Sequence, residues 1–175
     1  MTARVTALAV TPVHAYAGRP TEPPAPDPRP LSVDRVEVRA GLGLVGDRYF
    51  NHPAHRLAAV SLLDADALDE VAAELGVPAF DPLLTRRNVI LRGVAVDALA
   101  ATRDRPGAVF RVDTGAGPVR FRAHRPASPC RWMDTRLAEG AFRALRHRGG
   151  VRCVPLDDGV LTVGEAEVVI LDQPQ

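Results

Sequence analysis

The stretch that decides the fold is AVFRVDTGAGPVRFRA, residues 108–123. Apolar and polar residues alternate on both sides of the central TGAG, which is the period of two that indicates half-buried strands. The glycines at 115 and 117 suit a tight turn between those strands. We therefore predict a β-hairpin with strands at 108–112 and 119–123, paired as in an antiparallel sheet.

Other parts of the chain have the same strand character. They lie at residues 2–13, 33–38, 57–63, 88–91, 151–156, 161–163 and 167–171. Helical spacing is confined to 64–75, with Asp64 as a candidate N-cap, and to 131–147. Many strands with two helices argue against alternating βαβ units. The pattern predicts a mainly β protein with α (α+β), in which residues 31–171 form a closed, mostly antiparallel β-barrel with the helices outside.

A chain of 175 residues, 46% of them apolar, has the length of one ordinary domain with a buried core. We therefore expect a single domain over residues 1–175. The segment 18–30 is rich in proline, which favours an exposed surface loop without catalytic work. The chain has neither a signal-like start nor a run of ~18 apolar residues, a pattern typical of a cytoplasmic protein without a membrane span.

All 22 residues counted as lysine or arginine are arginine, and the formal net charge is +1. The lack of lysine excludes a pyridoxal phosphate Schiff base and a Walker A lysine. The small net charge gives no reason to expect a nucleic acid partner. Arginine forks instead suit the recognition of a phosphate or carboxylate on a small molecule.

Three segments combine glycine or asparagine with charge: GDR at 46–48, RRN at 86–88 and HRGG at 147–150. Asp47 beside a glycine is also typical of a simple turn. Neighbouring strand residues point to opposite faces, so only one of Arg86 and Arg87 is expected to face a pocket. We favour Arg87 because it directly precedes Asn88, whose amide suits either a heterocycle edge or a structural bond to backbone.

Cys130 follows Pro129 and precedes a predicted helix, whose N-terminal dipole favours the thiolate that ligates a soft metal or carries a persulfide. A small buried hydrophobe is the alternative for any cysteine. Cys153 fits that alternative because it lies in the middle of a predicted strand. His52 and His55 are spaced so that they could share a metal, although a solvated loop is the simpler interpretation.

Taken in order, these segments resemble the MOSC family, the domain named after the C-terminal part of molybdenum cofactor sulfurases. The matching stretches are GLGLVGDR (41–48), RRNVILRG (86–93), RPASPC (125–130), RGGV (148–151) and DGVLTVGE (158–165). The resemblance implies a barrel of the pyruvate-kinase-barrel type, and a pocket for a molybdopterin-type molybdenum cofactor.

The resemblance also implies site residues. Cys130 matches the family's thiol, which ligates molybdenum in some relatives and is thought to carry or relay sulfur in others. The motif positions imply cofactor binding by Asp47, Arg48, Arg87 and Asn88, with Arg125 and Arg148 as further candidates.

Two functions remain open at this point. The leading hypothesis is a molybdenum-dependent oxidoreductase that reduces N-hydroxylated small molecules with Cys130 as the metal ligand. The alternative is a non-catalytic cofactor-binding or sulfur-carrier module that uses a Cys130 persulfide. Because the chain carries neither a cysteine desulfurase nor a ferredoxin domain, we expect a separate electron donor or desulfurase as partner, and a monomer or homodimer.

Overall fold

The computed structural model describes residues 2–172. Within these residues the chain forms ten strands: β1 (Thr2–Leu8), β2 (Arg35–Arg39), β3 (Gly43–Leu44), β4 (Val60–Asp64), β5 (Val89–Arg92), β6 (Val109–Asp113), β7 (Pro118–Pro126), β8 (Val151–Pro155), β9 (Gly159–Thr162) and β10 (Gly164–Asp172). The α-helices are α1 (Ala65–Glu74), α2 (Trp132–Arg136) and α3 (Ala141–Ala144). Three short 3₁₀ helices cover Pro53–Ala58, Pro82–Thr85 and Val96–Leu99.

Seven strands close into a barrel in the order β1-β10-β6-β7-β8-β4-β5, which confirms the predicted mainly β class and the barrel. Neighbouring barrel strands are antiparallel except for the parallel pair β4–β5. The hairpin β6–β7 has the predicted alternation, with Phe110 opposite Phe121 and both rings fully buried. The two rings stack at 5.6 Å between centroids inside the barrel.

The predicted limits of the barrel, 31–171, are wrong at the N-terminal side. β1 lies between β10 and β5 and closes the barrel. In contrast, β2, β3 and β9 form a separate three-stranded sheet in the order β3-β2-β9. Alternation identifies a strand but does not identify its partner, which is why the sequence pattern could not separate the two sheets.

The first predicted helix is confirmed as α1, with the Asp64 carboxylate accepting the Asp66 N–H at 2.9 Å as its N-cap. The single helix predicted at 131–147 is wrong, because the chain breaks it into α2 and α3. Gly140 adopts a φ of 87° at the break, and the Asp134 carboxylate accepts the Phe142 N–H at 2.8 Å to begin α3. No helix within residues 2–172 has both the length and the apolar character that crossing a bilayer needs.

Candidate functional site

Cys130 lies at the edge of an open cavity of about 390 Å³. Its residue is exposed and sits in the connection between β7 and α2, where its carbonyl oxygen accepts the Met133 N–H. Arginines dominate the polar part of the lining: Arg48, Arg86, Arg87, Arg131 and Arg152. Aromatic and other side chains also line the cavity, among them His14, Tyr16, Tyr49, Trp132 and Met133.

Arg87 holds the connection that carries Cys130. Its guanidinium donates from Nε to the Gly149 carbonyl at 2.8 Å, and from Nη2 to the carbonyls of Ala127 and Ser128. Burial first, and repulsion from Arg152 second, lower the pKa of Arg87 to about 10, so it stays a cation at neutral pH. Arg87 therefore both fixes the backbone ahead of Cys130 and places a positive charge in the cavity wall.

Gly149 allows this backbone to pack closely. A Cβ at residue 149 would collide with the Ala127 carbonyl oxygen, and one at Gly150 would collide with the Leu62 carbonyl oxygen in β4. Gly150 also has a φ of 91°, which favours glycine. The two glycines of the HRGG motif thus let the connection that carries Cys130 and strand β4 both pack closely against this segment.

Arg48 and Arg152 lie on the Tyr49 side of the cavity. Their guanidinium carbons are 4.5 and 5.5 Å from the Tyr49 ring centroid. Burial first lowers the pKa of Arg152, and the charges of Arg125 and Arg48 lower it further, although Tyr49 opposes that shift. Burial, followed by repulsion from Arg48, also lowers the pKa of His14. This wall thus carries closely spaced cations and a histidine that favours its neutral form.

Few carboxylates balance this charge. Among residues 2–172, Arg87, Arg131 and Arg152 have no carboxylate within 4.0 Å, and Arg48 reaches only Asp47, at 3.8 Å. The Nε of Arg48 is buried and has no hydrogen-bond partner among those residues. An anion in the cavity would balance the positive charge that the carboxylates of the described residues leave uncompensated.

Arg86 is bound differently from its neighbour. It has a φ of 58° and its Nη1 donates to both carboxylate oxygens of Asp27, at 2.9 and 2.7 Å. Both Arg86 and Arg87 line the cavity. Strand alternation would have placed only one of these two arginines in the cavity. It does not apply here, because β5 begins only at Val89.

Asp47 and Asn88 meet, but they lie behind the cavity wall and do not line it. The Asn88 Nδ2 donates to Asp47 Oδ2 and to the Ala9 carbonyl, each at 3.0 Å, while its Oδ1 accepts from Ser61 N and Oγ. Burial raises the pKa of Asp47, against the opposing effects of the Tyr49 N–H and Arg48. This buried pair joins the start of β5 to the GDR turn, and so helps to hold the turn that carries Arg48.

Arg125 and Arg148 lie outside this cavity. Arg125 lines a separate groove with His55 and His124. Arg148 forms a two-bond ion pair with Glu74 at the end of α1, at 2.6 and 2.8 Å. The structure thus brings Arg48, Arg87 and Cys130 together at one surface, with Asp47 and Asn88 behind it.

Several lining residues escaped the sequence analysis: His14, Tyr16, Tyr49 and Arg152. Tyr49 directly follows GDR, and one residue separates Arg152 from HRGG. Their closeness to these motifs was the only sequence feature that could have predicted them as lining residues. Tyr16 and His14 carry no local signal, because they reach the site from the loop after β1. His52 and His55 have ring centroids 4.8 Å apart, but no group of three or more metal-ligating His, Cys, Asp or Glu side chains occurs within 2–172.

Comparison with known proteins places this geometry in context. A family model described as the MOSC domain matches residues 50–167. The YuaD protein from Bacillus subtilis has a similar structure, with a TM-score of 0.70 and 18% identity over 100% of this chain and 97% of that one. YiiM from Geobacillus stearothermophilus superposes with a TM-score of 0.61 at 14% identity, covering 97% of this chain and 75% of YiiM.

YiiM from Escherichia coli gives a TM-score of 0.59 at 18% identity, over 98% of this chain and 73% of that protein. No curated protein sequence matches the chain. Identities this low establish a shared fold alone.

Proposed function

This chain belongs to the MOSC domain family, and from that premise we propose that it binds a molybdopterin-type molybdenum cofactor and reduces N-hydroxylated small molecules. One observation carries the proposal: an exposed thiol, Cys130, shares a cavity with arginines that lack matching carboxylates. A thiolate is a soft metal ligand, and arginine forks bind phosphate with two parallel hydrogen bonds. The cavity therefore offers a thiolate for the metal end of such a cofactor and arginines for its phosphate end.

The donor set fits this cofactor on a specific feature of the chain. The buried Arg48 Nε is an unpartnered donor among the described residues, and the Arg152 guanidinium lies near the same Tyr49 ring as Arg48. We assign the phosphate to Arg48 and Arg152, and the metal to the Cys130 sulfur. When bound, the cofactor supplies two-electron oxygen-atom chemistry.

The remaining roles belong to the protein. Arg87 holds the carbonyls of Ala127 and Ser128, so the Cys130 sulfur keeps a fixed position relative to the cavity. Removing oxygen from an N-hydroxyl group as water consumes two electrons and two protons, and a separate donor protein must supply the electrons. Asp47 and Asn88 support the Arg48 turn without contacting the ligand.

The proposal is tested by expressing the chain in a host that makes the cofactor. We expect molybdenum and the oxidised, fluorescent pterin to copurify in stoichiometric amounts. Cys130→Ser should lose the metal, whereas Cys153→Ser, the matched control at the buried thiol, should retain it. Arg48→Gln combined with Arg152→Gln should lose the pterin.

Two results would decide against reduction. A persulfide on Cys130 without molybdenum would instead identify the sulfur-carrier function. Neither metal, pterin nor persulfide on protein from such a host would refute the cofactor proposal altogether.

A further inference from the structure

The loop between β1 and β2 contributes a wall to the cavity. The cavity lining includes five of its residues, His14, Ala15, Tyr16, Gly18 and Pro20, although the proline-rich part, 18–30, contains no helix or strand. The loop is tied to itself by the Ala25 N–H, which donates to the Ala15 carbonyl at 2.9 Å. A wall built from irregular chain needs something to hold it in place.

A poorly exposed ion pair is one of the contacts that hold the loop, together with the hydrogen bond from the Tyr16 hydroxyl to the Leu84 carbonyl. Asp27 receives both bonds from the Arg86 guanidinium and a third, at 2.8 Å, from the Thr11 hydroxyl. The side chains of Arg86 and Asp27 are only 14% and 18% exposed, so solvent screens the pair weakly. Burial opposes ionisation of Asp27, but the hydrogen bonds from Thr11 and Arg86 leave the pKa of its carboxyl lowered.

The ion pair continues into an aromatic stack. The Arg86 guanidinium lies over the Tyr16 ring, 5.2 Å from its centroid. The Tyr16 ring stacks on Trp132, with centroids 4.9 Å apart and planes within 9°. Trp132 stands two residues after Cys130, so the stack joins the loop to the thiol-bearing segment.

We propose that Asp27 and Arg86 are positioning residues that hold Tyr16 against Trp132 as a wall of the cavity. Arg86 differs in this from Arg48, because a carboxylate of the same chain, Asp27, already pairs with the Arg86 guanidinium through Nη1. The inference depends on the cavity geometry and does not require that the bound ligand be the molybdenum cofactor. Replacing either partner should loosen the loop and weaken the Tyr16–Trp132 stack, although the hydrogen bond from the Tyr16 hydroxyl to the Leu84 carbonyl remains.

The chain contains one tryptophan, so tryptophan fluorescence reports the surroundings of Trp132, which include the stack with Tyr16. Asp27→Asn and Arg86→Gln should each shift Trp132 emission to the red and raise its quenching by acrylamide, to the level found in Tyr16→Leu. The double variant should change no further than Arg86→Gln, which already removes both the ion pair and the contact with the Tyr16 ring. Hydrogen exchange of the peptide containing Ala25 should accelerate about tenfold in Asp27→Asn.

Two variants serve as controls. Glu22→Gln removes the same charge from the same loop but breaks no ion pair among the described residues, so it should behave as the unchanged protein. Arg86→Lys keeps a cation beside Asp27 and next to the Tyr16 ring, so it should keep most of the emission of the unchanged protein and so separates positioning from misfolding. Far-UV circular dichroism checks that the barrel is intact in each variant.

The proposal fails if Asp27→Asn leaves the Trp132 emission unchanged while Tyr16→Leu shifts it. It also fails if Tyr16→Leu has no effect, since the stack would then be absent in solution. If Asp27→Asn and Arg86→Gln do not fold, Arg86→Lys decides: emission matching Tyr16→Leu would overturn the proposal.

Discussion

The two cysteines differ in every property that controls thiol reactivity. Cys130 is exposed at a cavity rich in arginine, whereas Cys153 lies on β8 with no exposed surface inside the barrel. Burial alone raises the pKa of Cys153 far above its usual range. Because the thiolate is the nucleophile, the burial of the Cys153 sulfur and its raised pKa both act against reaction at Cys153.

We therefore expect iodoacetamide to label Cys130 in the folded protein and to leave Cys153 unmodified until the chain is unfolded. Mass spectrometry of peptides locates the label. Cys130→Ser should abolish labelling without loss of stability, because it removes no core volume. Cys153→Ser should keep the labelling and cost roughly 1–3 kcal/mol, since it buries a hydroxyl in the core. Equal labelling of both thiols would contradict this assignment.

Asn88 has all its side-chain hydrogen-bonding groups engaged in a buried site, so truncation there should be costly. Asn88→Ala should lower the free energy of unfolding by roughly 2–4 kcal/mol, because it leaves Asp47, Ser61 and the Ala9 carbonyl without their partner. Urea denaturation measures the loss. A change below ~0.5 kcal/mol would show that the network is not buried in solution.

A second substitution at the same residue predicts a pH dependence. Asn88→Asp places a carboxylate against Asp47, whose pKa is already raised by burial. Two facing carboxylates share a proton, so the folded pKa rises further above its unfolded value. A raised folded pKa contributes stability below the unfolded pKa and loses it as pH rises.

Asn88→Asp should therefore be more destabilised at pH 7 than at pH 4, relative to the original protein at each pH. Urea denaturation at both values provides the test, and Asn88→Ala serves as the uncharged control. Equal destabilisation at the two pH values would argue against a close carboxylate pair.

At the level of elements, one arginine makes three of the hydrogen bonds that hold the chain between β7 and α2, and the Ala127 N–H adds a fourth to the Gly150 carbonyl. Arg87 joins it to the β8 side through the carbonyls of Ala127, Ser128 and Gly149. A lysine keeps the charge but lacks the planar fork that reaches three acceptors. A lysine at this position should therefore distinguish the effect of the Arg87 charge from the effect of its hydrogen-bonding geometry.

Arg87→Lys should destabilise the fold by about 1–3 kcal/mol and accelerate hydrogen exchange in residues 127–131. Arg148→Lys is the matched control, because its exposed ion pair with Glu74 is remote from the cavity. It should change neither quantity appreciably. If both lysine variants behaved alike, Arg87 would act only as a charge.

At the scale of the whole molecule, the charge is distributed unevenly. The net formal charge is +1, yet the cavity carries five arginines in its lining. A local excess of cations attracts anions to the thiol, and salt screens that attraction over about 8 Å at physiological ionic strength.

At low salt, the ratio of the alkylation rate of Cys130 by anionic iodoacetate to its rate by neutral iodoacetamide should therefore be high. This ratio should fall as sodium chloride is added. Rates of label incorporation supply the measurement. Arg48→Gln with Arg152→Gln should reduce the ratio at low salt, while Arg120→Gln, remote on the β6–β7 hairpin side, should not. A ratio independent of salt would mean that the arginines do not act on the thiol.

The sequence by itself determined the features that arise within a few residues. The hairpin at 108–123, the Asp64 cap and the closed, mainly β barrel were predicted correctly, and the family was identified from motifs in order. Alternation and capping follow from backbone geometry over short distances, so a local pattern suffices.

Tertiary structure alone decided which distant segments meet. β1 closes the barrel by pairing with β10 and β5, and Asp27 engages Arg86 across 59 positions in the chain. It also placed Asn88 behind the cavity and Arg148 at α1, although both belong to motifs that adjoin site residues. No local pattern encodes such contacts, because they result from how the strands pack and from which side chains are then left facing each other.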